Sequence, residues 1–168
     1  HKIYSNHLEP DERALGNLRA RIRANIIYYY ANLKNYLVLG TSDKSEYLIG
    51  YFTKFGDGSA DILPIAELYK TQLREFAKFI GIPNNIITKR SSPNLWKGHY
   101  AEEEIGIEYE KIDTILYCML EQQYTLNKFL DEITGISKKD VEKIYQMYQN
   151  TQHKRILPER VGIIHGDF

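Results

Sequence analysis

A single apolar tetrapeptide limits the architecture of this chain more than any other feature. Tyr36-Leu37-Val38-Leu39 ends in Gly40, lies just after one long helical pattern and leads straight into another. A buried strand handing over to a helix is the β-to-α step of a parallel sheet, so the expected fold class is α/β. Asp61 to Leu63 is a candidate second strand. One or two strands do not make a free-standing sheet, and further strands are expected upstream. The first residue is His1 and the methionines are Met119 and Met147, which agrees with an upstream segment or with the removal of one.

The helical patterns surround that step. After an irregular approach from His1 to Pro10, Asp11 opens a stripe of Leu15, Leu18, Ile22, Ile26, Tyr29 and Leu33, spaced three or four apart. Tyr28-Tyr29-Tyr30 widens the apolar girth beyond what a surface helix needs, so this helix is expected to pack on two sides. Asp43 with Glu46 three residues on has the form of a capping box for the next helix. Pro64 suits the first turn of a third, which carries Tyr69, Leu73, Phe76, Ala77 and Ile80 on one face and is stopped by Gly81. Thr88 to Tyr100 reads as a polar loop. Helices resume near Tyr109, Ser137 and Asp140 suggest another capping box, and His153 to Phe168 reads as a tail. The 168 residues suffice for a single domain with its own core.

Charge and cysteine content narrow the function. Twenty-two basic and twenty-two acidic residues cancel, so no overall field favours nucleic acid or an anionic membrane, and any anion site must be local. No apolar run approaches membrane-spanning length and no signal-peptide pattern opens the sequence. The single cysteine, Cys118, excludes an internal disulfide and reads as a packed thiol, which fits a reducing cytoplasm.

Three local clusters can carry chemistry. Arg19, Arg21 and Arg23 either grip phosphates or form a solvated basic face. Gly40-Thr41-Ser42-Asp43-Lys44-Ser45-Glu46 sits where a parallel strand meets a helix, which is where open α/β sheets place ligands. There Glu46 either supplies an oxygen to Mg²⁺ or completes its capping box. The loop Tyr51 to Asp61 holds Lys54, Asp57 and two glycines, and reads as a ligand loop or a plain turn. Lys70 lies in the first turns of a helix, where the dipole does not favour a cation, which hints at a phosphate partner. His153-Lys154-Arg155 is a short basic run at a helix end.

In order and spacing, the segments GNLRARIR, LVLGTSDKSE, IGYFTKFGDGSADILPIAELYKTQLRE, KRSSPNLW and HKR closely resemble the NAD synthetase family, over Gly16 to about Arg155. The resemblance implies an adenine-nucleotide-alpha-hydrolase-like, Rossmann-like fold, with this chain as the C-terminal portion of such a domain. It implies an N-type ATP pyrophosphatase that adenylylates the nicotinate carboxylate of deamido-NAD and lets ammonia displace AMP. By position it places Thr41, Lys70 and Ser92 on ATP, Glu46 on Mg²⁺, and Arg21, Lys54, Asp61, His153 and Lys154 on deamido-NAD. No catalytic residue is assigned. It further implies a homodimer with the arginine-bearing helix at the interface, and no nucleic-acid or membrane partner. The family's phosphate loop, Ser-Gly-Gly-x-Asp-Ser, has no counterpart here, and no two glycines are adjacent. The 168-residue chain alone is therefore expected to be inactive. The rival readings are another ATP pyrophosphatase of the GMP synthetase kind and a nucleotide-binding module without catalysis.

Overall fold

The computed structural model describes residues 11–156 and Pro158. The expectation for His1–Pro10 and most of the tail expected from His153 to Phe168 lie outside these residues, but the start of that tail is corrected: His153 to Arg155 lie in a helical turn, Gln152–Arg155. Asp11 caps the first helix, α1 (Glu12–Lys34), by accepting from the Ala14 N–H at 3.0 Å. Asn35 ends it in the left-handed conformation. The face of α1 turned toward the body is its small-residue stripe, Gly16, Ala20, Ala24 and Ala31. The large apolar stripe points outward: Ile26 is 52% exposed, Tyr29 64% and Leu33 62%. Small residues let the helix come close, and a Cβ on Gly16 would stand 3.2 Å from Leu95 and Trp96.

Of the expected strand-to-helix step, the described residues show a single bridge before the helix. Leu39 and Ile62 form a parallel bridge, with Gly40 N–H donating to the Ile62 carbonyl at 2.8 Å and Ile62 N–H to the Val38 carbonyl at 3.2 Å. The two candidate segments meet at this bridge, but neither forms a strand among the described residues. The expectation of a buried strand is corrected: Val38 is buried, while Tyr36, Leu37 and Leu39 are exposed. The reason is local. Among the described residues only the segment around Ile62 pairs with the run, and the Val38 N–H is taken by the Asp61 carboxylate at 2.7 Å.

Beyond the bridge come α2 (Lys44–Ile49), α3 (Lys70–Phe79) and the short α4 (Asn84–Ile87). The capping box of α2 is complete, with both Asp43 and Glu46 reaching across it. Gly50 closes α2 at φ +67°, against Thr151 so closely that an added Cβ would overlap it. The helix expected from Pro64 starts at Lys70 instead. Pro64 belongs to a turn, and α3 begins where Gln72 Oε1 accepts from the Tyr69 N–H at 3.0 Å.

The loop from Thr88 is followed by α5 (Ala101–Ile105), a helix with no sequence-based expectation, and by α6 (Tyr109–Leu116), which runs on into a π-helical turn, Tyr117–Glu121. Then come α7 (Leu126–Glu132), α8 (Lys138–Asn150), capped by Ser137, and α9 (Gln152–Arg155). Asp140 completes no capping box, because its carboxylate bonds the Ser137 hydroxyl at 2.8 Å instead of the backbone. The core gathers Ile49, Tyr69, Ile105, Ile112, Phe129 and Ile144 from α2, α5, α6, α7, α8 and the approach to α3. Cys118 is packed against it, and burial pushes its thiol pKa up. No helix among the described residues is long and apolar enough to cross a membrane.

Candidate functional site

Two helix starts meet at the first part of the site. Asp43 and Glu46 stand at the beginning of α2, and Lys70 is the first residue of α3. The Lys70 ammonium forms ion pairs with both carboxylates, at 2.8 Å to Glu46 Oε1. Its backbone is fixed as well: Lys70 N–H donates to Ser45 Oγ at 2.8 Å. The Ser45 hydroxyl donates in turn to Asp113, whose other oxygen accepts from the Thr71 N–H at 2.9 Å. The lysine that is out of place at a helix start is thus held there by carboxylates. Burial raises the Glu46 pKa, and the Asp43 charge beside it raises it further, against Lys70. Burial disfavours the Lys70 ammonium, but Glu46 and Asp43 outweigh that and hold its pKa above the usual lysine value. Thr41 is exposed, between the bridge and α2.

The second part is built on the loop Phe52–Asp61. Asp57 Oδ1 accepts from the Thr53 N–H at 2.8 Å, and the Thr53 hydroxyl donates to Asn17 on α1 at 2.6 Å. Arg21 Nε donates to the Lys54 carbonyl at 3.2 Å, and the Lys54 ammonium donates to the His153 carbonyl. Lys154 donates to the carbonyls of Gly50 and Phe52, both at 2.7 Å, and burial lowers its pKa. Arg21, Lys54, His153 and Lys154 are thus brought together from α1, the loop and α9. Asp61, at the far end of the loop, bonds the Val38 N–H instead.

Beside this loop lies a cavity of about 360 Å³, lined by Tyr51, Phe52, Asp57, Trp96, His99 and Lys154 among others. His99 stacks on Trp96 with ring centroids 3.4 Å apart, and its Nε2 lies 2.6 Å from Glu104 Oε2. Tyr51 donates to the same oxygen at 2.7 Å, and Arg13 to the other at 2.8 Å. Burial opposes the Glu104 charge, but the hydrogen bonds from His99, Tyr51 and Arg13 prevail and lower its pKa. The loop that carries Trp96 is tied to α1, since Arg19 donates to the Leu95 carbonyl and Arg23 to that of Asn94 at 3.5 Å.

Ser92 belongs to that loop. Its hydroxyl donates to the His99 carbonyl and accepts from the Asn94 N–H at 3.1 Å. Among the described residues no hydrogen bond joins it to Thr41 or Lys70, with which the resemblance grouped it. Sequence reasoning missed Asp43 as the counter-ion of Lys70, and Tyr51, His99 and Glu104 as a connected group. The misplaced charge of Lys70 pointed to the first; nothing in the spacing pointed to the second.

The sequence matches the NAD synthase family over residues 1–158. It is 56% identical to the NH(3)-dependent NAD(+) synthetase of Staphylothermus marinus over 143 residues, 85% of this chain and 52% of that protein. It is 50% identical to the protein of the same name from Aeropyrum pernix, over 89% of this chain and 52% of that one. The chain therefore spans about half the length of the curated relatives it matches. Among solved structures, the NMN synthetase of Francisella tularensis superposes with a TM-score of 0.78 at 36% identity, over 96% of this chain and 62% of the other. The NH3-dependent NAD synthetase of Campylobacter jejuni gives 0.73 at 29% identity, over 96% and 60%. With nearly the whole sequence matched, this chain belongs to the NAD synthase family.

Proposed function

We propose that this chain is the C-terminal portion of the synthetase domain of a ligase that makes NAD from deamido-NAD, ATP and ammonia. The observation that carries the reading is the grouping of fixed cations at two places. Lys70 sits at the start of α3 beside Glu46, and Arg21, Lys54 and Lys154 surround the loop from Phe52. Two polyanionic substrates need two such sets.

A carboxylate oxygen is a poor leaving group, so the nicotinate oxygen first attacks the α-phosphorus of ATP and pyrophosphate departs. Ammonia then attacks the carboxyl carbon, the C–O bond to AMP breaks and a proton is lost. Lys70, with Thr41 and Ser92, contacts ATP in this reading. Arg21, Lys54, Asp61, His153 and Lys154 hold deamido-NAD. Among the described residues no three His, Cys, Asp or Glu side chains cluster to hold a metal by themselves. Mg²⁺ fits here as a phosphate-borne ion that takes one protein carboxylate, and Glu46 is the donor with solvent access. When bound, it offsets the charge that builds on the phosphates.

The Leu39–Ile62 bridge belongs, in the same reading, to a parallel sheet of the adenine-nucleotide-alpha-hydrolase-like kind. The outward apolar face of α1 supports a homodimer, because such a surface is costly to leave in water. The setting is the cytoplasm.

The test is an assay of NAD, AMP and pyrophosphate, run on the 168-residue chain and on a polypeptide in which a relative's Ser-Gly-Gly-x-Asp-Ser segment precedes it. Loss of one preorganised donor costs about 10²–10³ in rate, so the chain alone should be silent and the joined form active. Turnover by the chain alone would overturn the loop argument. A preference for xanthosine monophosphate would overturn the choice of substrate.

A further inference from the structure

Lys70 has two carboxylate partners, and they are not equivalent. Asp43 has no exposed surface: Oδ1 accepts from the Glu46 N–H at 2.9 Å, which caps α2, and Oδ2 faces the Lys70 ammonium. The Glu46 side chain is 21% exposed, and its Oε2 is held only by a 3.4 Å contact to the Asp43 N–H. A bond that long is weak. Turning outward costs Glu46 this weak contact and its 2.8 Å pair with Lys70, which a metal on the carboxylate would replace. Asp43 cannot leave without uncapping a helix and stranding a buried charge.

We propose that Asp43 is a positioning residue: it keeps the Lys70 ammonium directed at the nucleotide phosphates while Glu46 is given over to magnesium. This rests on the ATP and magnesium reading above. With Glu46 as the only carboxylate, the lysine and the metal would compete for it. With Asp43 present, each cation has its own partner. Ser45 and Asp113 already pin the backbone at Lys70 and Thr71, so what remains to be fixed is the long, flexible lysine stem; the Tyr109 ring lies 5.0 Å from its ammonium, and Asp43 is the buried carboxylate that stays in place beside it.

The test is side-chain NMR of the ¹⁵N-lysine-labelled full chain, with the Lys70 ammonium identified by its loss in Lys70→Arg. Asn caps a helix about as well as Asp, so Asp43→Asn can keep the cap through its oxygen while it removes the charge and the acceptor that face Lys70. The wild type should show a slowly exchanging Lys70 ammonium that persists when Mg²⁺ and a non-hydrolysable ATP analogue are added. Glu46→Gln should keep it, whereas Asp43→Asn should speed its exchange about tenfold or more, as expected for loss of one charge-assisted contact. In calorimetry, Asp43→Asn should also raise the Mg²⁺ concentration that half-saturates analogue binding by about tenfold.

Absence of a protected Lys70 signal in the wild type would overturn the proposal. So would its release by Glu46→Gln, or unchanged exchange in Asp43→Asn. Should Asp43→Asn fail to fold, Glu46→Gln still decides: retained protection supports Asp43 as the anchor, and release overturns it. Failure of the analogue to bind the wild type would instead count against the ATP reading, and the order of the exchange rates would still settle which carboxylate holds Lys70.

Discussion

The Lys54 ammonium donates to the backbone carbonyl of His153, which lies 99 residues further along the chain. Loop and C-terminal turn are thereby closed on each other, and Lys154 reinforces the closure through Gly50 and Phe52. Lys54→Met should weaken deamido-NAD binding about tenfold, the scale of one charge-assisted contact, when measured by calorimetry. Lys54 is partly exposed, so the melting temperature should move by no more than a few degrees.

Lys70→Met is a different case. It leaves Asp43 buried without its cation, and breaking a buried pair from one side costs about 3–5 kcal/mol. Urea unfolding should show a loss of that size. Lys70→Met combined with Asp43→Asn should recover much of it, because the stranded charge is gone.

Acid stability should depend on Glu104. Its pKa is lowered in the fold from the ordinary 4.5. A carboxyl of this kind adds stability that is complete above the unfolded pKa and is lost as the pH falls through the folded one. Thermal melts of Glu104→Gln should therefore show a shallower decline than the wild type below about pH 4.5. Glu46 has the opposite sign. Its raised pKa makes its contribution fade as the pH rises above the ordinary carboxylate range, so Glu46→Gln should gain relative stability toward neutral pH.

The outward face of α1 should be an interface. Ile26→Lys together with Tyr29→Lys should convert a dimer to a monomer in sedimentation velocity. Helical content should stay the same, since α1 holds the body through Ala20 and Ala24 on its other side.

Much of this was legible in the sequence, for reasons that differ by residue. The α2 capping box could be read because both partners lie within one turn of each other. The two segments that meet at the Leu39–Ile62 bridge could be named because each holds a short apolar run, but neither their pairing nor its extent could, because both depend on neighbours that local sequence does not name. The apolar stripe of α1 was visible, whereas the direction it faces was not: periodicity marks a face, and here the small residues opposite it pack inward. The start of α3 was misplaced because Pro64 fits a turn as well as a first helical turn. The pairing of Lys70 with Asp43 joins residues on two different helices, and only folding reveals it.

The most direct measurement is calorimetric titration of the chain with deamido-NAD beside xanthosine monophosphate, repeated with Lys54→Met and Lys154→Met. The account predicts that deamido-NAD binds more tightly and that each substitution weakens it about tenfold or more. Equal or tighter binding of xanthosine monophosphate, or deamido-NAD affinity unchanged by both substitutions, would contradict it.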